Sequence, residues 1–166
     1  MLIEKVVSEI LVPEGSIVLP ARNGPIHPGA FFNNHLYEKG HFVSFGRIWD
    51  DFRERILPVL KPVAHIPERT YARCRFAQGA NDYEIRRQLP EWHLAQWEDL
   101  IGLIEAMYRD ASFSLPMCYM EGVGGEVFAV TIDCLVNTRG CEHQLRSWRS
   151  SEATDWGVGN QVVYPV

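Results

Sequence analysis

A two-layer α+β fold, a mainly antiparallel sheet with two principal helices on one face, is predicted by three features of the chain. Residues 91–110 carry apolar side chains at helical spacing, residues 44–57 repeat that spacing, and from residue 115 onward the period changes from 3.6 to 2. Helices this apolar need a sheet to cover them.

In the longer helix, Leu94, Trp97, Ile101, Ile104 and Tyr108 recur at steps of three and four, and Leu100, Leu103 and Met107 widen the stripe. Glu98, Asp99, Glu105 and Arg109 are expected on the solvent side, and Pro90 suits the entry to a first turn. Gly102 costs about 1 kcal/mol against Ala inside a helix, so a close packing contact is expected there. In the shorter helix Ser44 is the expected N-cap, and Phe45, Ile48, Trp49, Phe52 and Ile56 form the buried stripe. Asp51 and Arg55 are spaced for an ion pair on the wet side, and Pro58 ends the helix.

Ahead of these helices, Ile3, Val6, Val7 and Ile10 fit helical spacing, but β-branched residues and the turn signal at Pro13 and Gly15 favour a hairpin, 3–12 with 16–19. Residues 20–40 break every period and read as one long packed-down loop, and 58–68 read as irregular. Residues 70–76 alternate as a strand, with Ala72, Cys74 and Phe76 on one face and Tyr71, Arg73 and Arg75 on the other. Asn81 with Glu84 is a capping box for a short helix. Residues 115–121, 126–136 and 141–149 form a meander punctuated by GVGG and NTRG, its middle strand apolar on both faces and therefore central. Residues 162–166 are expected to add an edge strand.

The 166 residues, 46% hydrophobic, suit a single domain. Sixteen basic against 21 acidic residues give a net charge of −5, which argues against a nucleic-acid partner. No run approaches the ~20 apolar residues of a membrane span, and Glu4 and Glu9 interrupt any signal-peptide core, so a cytoplasmic protein with no membrane partner is expected. Cys74, Cys118 and Cys134 lie in apolar strand-like runs and are read as reduced packing residues; Cys134 and Cys141 lie near one hairpin, but a chain this size needs no staple.

Four groupings carry possible chemistry. His27, His35 and His41 surround the long loop with Asn33 and Asn34 between, yet match no metal-ligand spacing. Asp133, Cys134, Cys141 and His143 gather at one hairpin, where Cys141 with His143 resembles a nucleophile and its base. Asp50, Asp51 and Glu54 interleave with Arg47, Arg53 and Arg55 as a solvated helix face does. Finally Trp92, Trp148 and Trp156 are placed by no pattern, and Trp148 shares an outward-looking face with Glu142, Gln144 and Arg146. Nucleotide-loop, nucleophile-elbow, zinc-protease and calcium-loop motifs are all missing. No metal and no cofactor is expected.

The functional expectation is a non-catalytic protein that binds and modulates or inhibits another protein, in the manner of immunity or phage-type anti-defence factors; if residues 162–166 leave the edge of strand 141–149 open, Arg146, Trp148 and Arg149 flank the contact there, with Trp156 nearby in the last loop. A second copy of the chain is an admissible partner. The alternative is a small enzyme or ligand binder that uses His35 or His41 of the 27–41 loop.

Overall fold

The alternation after residue 115 folds as a meander: β6 (Pro116–Glu121), β7 (Val127–Asn137) and β8 (Gly140–Arg149) pair antiparallel in sequence. This computed structural model describes residues 10–33, 45–110, 116–137, 140–150 and 155–166. Upstream lie β1 (Leu11–Leu19), β2 (Arg22–Ile26), β3 (Phe45–Ile48), β4 (Val63–Ile66) and β5 (Arg69–Phe76); β9 (Gln161–Pro165) comes last. The helices are α1 (Pro28–Asn33), α2 (Asp50–Arg55), α3 (Asp82–Gln88) and α4 (Asp99–Arg109). Seven strands form one sheet in the order β1-β5-β9-β6-β7-β8-β3, while β2 and β4 pair separately. The large sheet is antiparallel except where β9 meets β6 and β3 meets β8.

The sheet is apolar on both faces, as the composition of β7 demands. On one face Phe128, Val130 and Ile132 join Tyr71, Met120 and Leu145 under Phe52 of α2, Ile56 at its end, and Leu100, Leu103 and Ile104 of α4. Thus the two principal helices share a face. On the other, Ala129 joins Phe76, Met117, Tyr119 and Val162 under Ile85 of α3 and the following Leu89. Burying a Leu, Ile or Phe side chain stabilises by roughly 1.5–3 kcal/mol, so two such clusters anchor every central strand. The close contact expected at Gly102 is present: a Cβ there would lie 3.2–3.3 Å from Leu19.

Several boundaries differ from the sequence reading. The expected N-terminal hairpin is absent over the described residues 10–19, because β1 runs straight through Pro13-Glu14-Gly15 along β5. A bulge between Pro13 and Gly15, with Gly15 at φ 112°, absorbs the turn-like residues. Parts of the presumed irregular segments 20–40 and 58–68 pair as β2 and β4. The long helix begins at Asp99, because Leu94 bridges to Tyr119 and the Ala95 N–H donates to the Tyr119 carbonyl at 2.7 Å. Glu98 and Asp99 are buried, 5% and 2% exposed, where solvent was expected. Arg69 offsets them by donating to both carboxylates at 3.0 and 2.8 Å.

The largest revision concerns residues 45–48. They form β3, parallel to β8, and the Trp49 N–H continues the ladder to Leu145 O at 3.1 Å. Phe45 and Ile48 match helical spacing only because a strand and a short helix follow one another. Asp51, expected in water, accepts the Phe52 N–H at 2.7 Å and the Ser147 N–H at 3.3 Å. Consequently β3 and Asp51, and not residues 162–166, cover the β8 edge. The 162–166 segment, expected at an edge, is instead β9 in the sheet interior between β5 and β6. The Ser44 cap, the spacing of Ile3, Val6 and Val7, and His35 and His41 fall outside the described residues.

Candidate functional site

Of the candidate catalytic groups, His35 and His41 lie outside the described residues, and Cys141 and His143 are placed by backbone register alone. His27 is exposed. Antiparallel register sets Cys134 opposite His143 and Cys141 opposite Val136, while their side-chain arrangement lies outside the described structure. Asp133 is half-buried, and burial raises its carboxyl above the usual range despite the nearby charge of Arg146. Asp50 and Glu54 are exposed, as expected, whereas Asp51, Arg53 and Arg55 are half-buried and bond to backbone groups: Arg53 Nε donates to Ile48 O and Arg55 Nη1 to Ser147 O. Among the described residues no three His, Cys, Asp or Glu side chains are placed to hold a metal.

The four expected contact residues divide between interior and surface. Arg146 lies between two indoles, its guanidinium 4.4 Å from the ring centre of Trp49 and 4.4 Å from that of Trp148. Such stacking of cation on aromatic ring is worth about 0.5–2 kcal/mol. The Trp49 N–H is held by Gln144 Oε1 at 3.1 Å. Trp156 packs against the second core cluster and donates its indole N–H to Asp82 Oδ1 at 2.9 Å, beside the Tyr119 hydroxyl at 2.6 Å. These contacts fasten the last loop to α3. Arg149 faces solvent and is 3.5 Å from Glu126.

A different surface emerges around α3. The capping box fixes its start: Asn81 Oδ1 accepts the Glu84 N–H at 3.0 Å and Glu84 Oε2 accepts the Asn81 N–H at 3.0 Å. With Ile85 turned inward, Tyr83 and Arg87 point outward, and Arg87 lies over the Tyr83 ring at 6.0 Å. Tyr83 is 69% exposed and Trp92, in the turn beyond, 68%. Beside Tyr83 lies a cavity of about 450 Å³, lined among the described residues by Tyr83, Arg86, Arg87, His93 and Ser150.

Arg86 organises that cavity. Its Nε donates to His93 Nε2 at 3.3 Å, its Nη1 donates to Ser150 Oγ at 3.1 Å, and the guanidinium lies 5.7 Å from the Tyr119 ring centre. His93 Nδ1 in turn is 2.7 Å from the Pro90 carbonyl, which assigns its proton to Nδ1 and leaves Nε2 as acceptor. Burial, with the Arg86 charge adding to it, pulls the imidazole below its ordinary value and keeps it neutral. Sequence reasoning missed this cluster; the available signal was Trp92 lying outside every apolar stripe and Tyr83 on the outer side of a capped helix.

A second polar cluster sits beneath the start of α4. Tyr71 OH donates to Asp99 Oδ2 at 2.7 Å alongside Arg69, while Oδ1 is buried without a hydrogen bond. Burial raises both the Asp99 carboxyl and the Tyr71 phenol. The cluster ties β5 to α4, and Glu98, the other carboxylate that Arg69 meets, lines a cavity of about 350 Å³ with Lys61, Gln96, Trp97 and Glu121. Compared with known proteins, the chain matches no family model, no curated protein and no solved structure.

Proposed function

We propose that the chain acts by binding another protein, as a non-catalytic modulator or inhibitor, through the face made by Tyr83, Arg86, Arg87 and Trp92, with Trp148 and Arg149 at its margin. The observation that carries this reading is the exposure of Trp92 and Tyr83 in a molecule that buries Tyr71, Tyr119 and Trp97 to 6% or less. Trp, Tyr and Arg are the residues that dominate binding energy at protein interfaces. An exposed indole contributes nothing to folding and becomes useful when a partner removes it from water. The Arg86–Ser150 hydrogen bond joins α3 to the residue that follows Arg149 at the end of β8, which supports grouping the two sets of residues. Trp156, fixed by Asp82, supports that surface from behind.

The test is affinity capture from the native host with three baits: the wild type, a Tyr83→Ala, Trp92→Ala double variant, and a Val18→Ala, Val158→Ala control. A partner held by wild type and control but lost from the double variant, with folding verified by circular dichroism, supports the reading. Equal recovery by all three baits would remove this face from consideration.

A further inference from the structure

We propose that the cavity beside α3 is a phosphomonoester-binding site, with Arg86 as its fixed ligand and Arg87 as its mobile one. This goes beyond the protein-binding reading, since it concerns a chemical group and holds whatever molecule carries it.

Arg22, Arg69, Arg73, Arg75 and Arg149 each meet a carboxylate. Among the described residues neither Arg86 nor Arg87 does so. Arg86 is half-buried, and its hydrogen-bond partners, His93 Nε2 and Ser150 Oγ, are neutral. Asp82, one turn earlier on the helix, directs Oδ1 to Tyr119 and Trp156 instead. A half-buried guanidinium is thus held in place by neutral partners. That is the opposite of a surface arginine, which loses side-chain entropy when it finds a ligand.

Geometry adds the rest. Nε and Nη1 are taken up by His93 and Ser150, which leaves Nη2 among the described residues as a donor for an incoming oxygen. The Ser150 hydroxyl, accepting from Arg86, has its own proton to donate. Arg87 brings a second positive charge from the next helical position, and both guanidiniums line the same cavity. A phosphomonoester carries close to two negative charges at neutral pH and several acceptor oxygens, which matches two guanidiniums and a hydroxyl better than one carboxylate does. At about 450 Å³ the cavity holds more than the phosphate. Tyr83 supplies a ring against which an aromatic carrier can stack.

The test is a titration of the ¹⁵N-labelled full chain, followed by backbone amide and arginine Nε–H shifts at constant ionic strength. Its probes are phenyl phosphate, inorganic phosphate, a blocked phosphotyrosine tripeptide and the same peptide unphosphorylated. The expected result is saturable change at residues 83–93 and 150 with the phosphorylated probes, absent with the unphosphorylated peptide. Arg86→Gln should weaken binding about tenfold or more, as loss of a charge-assisted hydrogen bond does. Arg87→Gln, an exposed change that leaves the His93 and Ser150 contacts intact, guards against misfolding of the first variant and should weaken binding several-fold. Tighter binding of the phosphopeptide than of phenyl phosphate would identify a polypeptide as the carrier; equal binding would identify a small phosphorylated molecule. The proposal is overturned by no saturable change up to about 10 mM, where a site of about 1 mM affinity would be filled, or by equal binding to wild type and both variants.

Discussion

Arg86 donates its Nε–H to Nε2 of His93 across 3.3 Å, a contact that exists only while the imidazole is neutral. Protonation would set two cations against each other over the Tyr119 ring. The folded-state pKa of His93 is depressed below its ordinary 6.5. A depressed group stabilises the fold above the unfolded value and loses that contribution as pH falls through the lower, folded one. Unfolding free energy by urea should therefore drop below about pH 6.5 in the wild type. Asp99 and Asp133, whose carboxyls are raised, act with the opposite sign in acid. For that reason the informative quantity is the difference from His93→Gln, which should show a shallower acid loss. Parallel pH profiles would contradict a neutral, Arg86-bound imidazole.

Asp82 Oδ1 accepts from two donors, the Tyr119 hydroxyl at 2.6 Å and the Trp156 indole N–H at 2.9 Å. Asp82→Ala should cost about 3 kcal/mol, since each orphaned buried donor costs roughly 1–3 kcal/mol. Because Trp156 loses its anchor, its indole should become accessible to acrylamide, with a Trp156→Phe protein as the fluorescence reference. A loss under 1 kcal/mol with unchanged quenching would mean that the last loop is held by other contacts.

Two glycines should respond differently to the same substitution. A Cβ on Gly122 would collide with the Arg55 carbonyl and lie 2.6 and 2.7 Å from Phe128 ring carbons. Gly122→Ala should therefore cost about 3 kcal/mol, the upper end of ordinary overpacking. At Gly102 the neighbour is the Leu19 side chain at 3.2–3.3 Å, which can shift, and helix propensity returns about 1 kcal/mol. Gly102→Ala should change stability by less than about 1 kcal/mol. Denaturant melts of the two variants test the ranking, and a reversed order would show that the α4–β1 contact is the rigid one.

These differences also show what could be read from the residues. Period 2 in 127–137 and 140–149, with apolar residues on both faces of the first run, reports strands of a sheet covered on both sides. The Asn81–Glu84 box marked a helix start through side-chain chemistry that acts locally. Failures arose where tertiary pairing decided the outcome. Residues 91–98 carry helical spacing, yet Leu94 and Ala95 are drawn onto β6 by hydrogen bonds to Tyr119. Phe45 and Ile48 look helical until β8 supplies a partner. In the same way, the Arg86 site depends on α3, the 90–93 turn and the end of β8, three segments with no shared spacing, and a pair such as Arg86 and Ser150 leaves no local trace.

Burial pushes the Cys118 thiol up to about 12 and raises Cys74 as well. Both are free and buried. Under native conditions at pH 8 neither should react appreciably with iodoacetamide over the minutes that suffice in denaturant, because the thiolate is the nucleophile. Mass mapping of labelled peptides reads this directly. Rapid native labelling of Cys118 would require that β6 opens on that timescale.

Site-specific photo-crosslinking in the native host tests the partner-binding face most directly. A photoreactive residue would replace Tyr83 or Trp92 in turn, with Val18 and Val158 as equally exposed controls. The account predicts one discrete crosslinked species, of the same added mass, from positions 83 and 92 and none from 18 or 158. Adducts from the control positions alone, or no adduct from 83 and 92 in cells where the protein is folded and abundant, would contradict it.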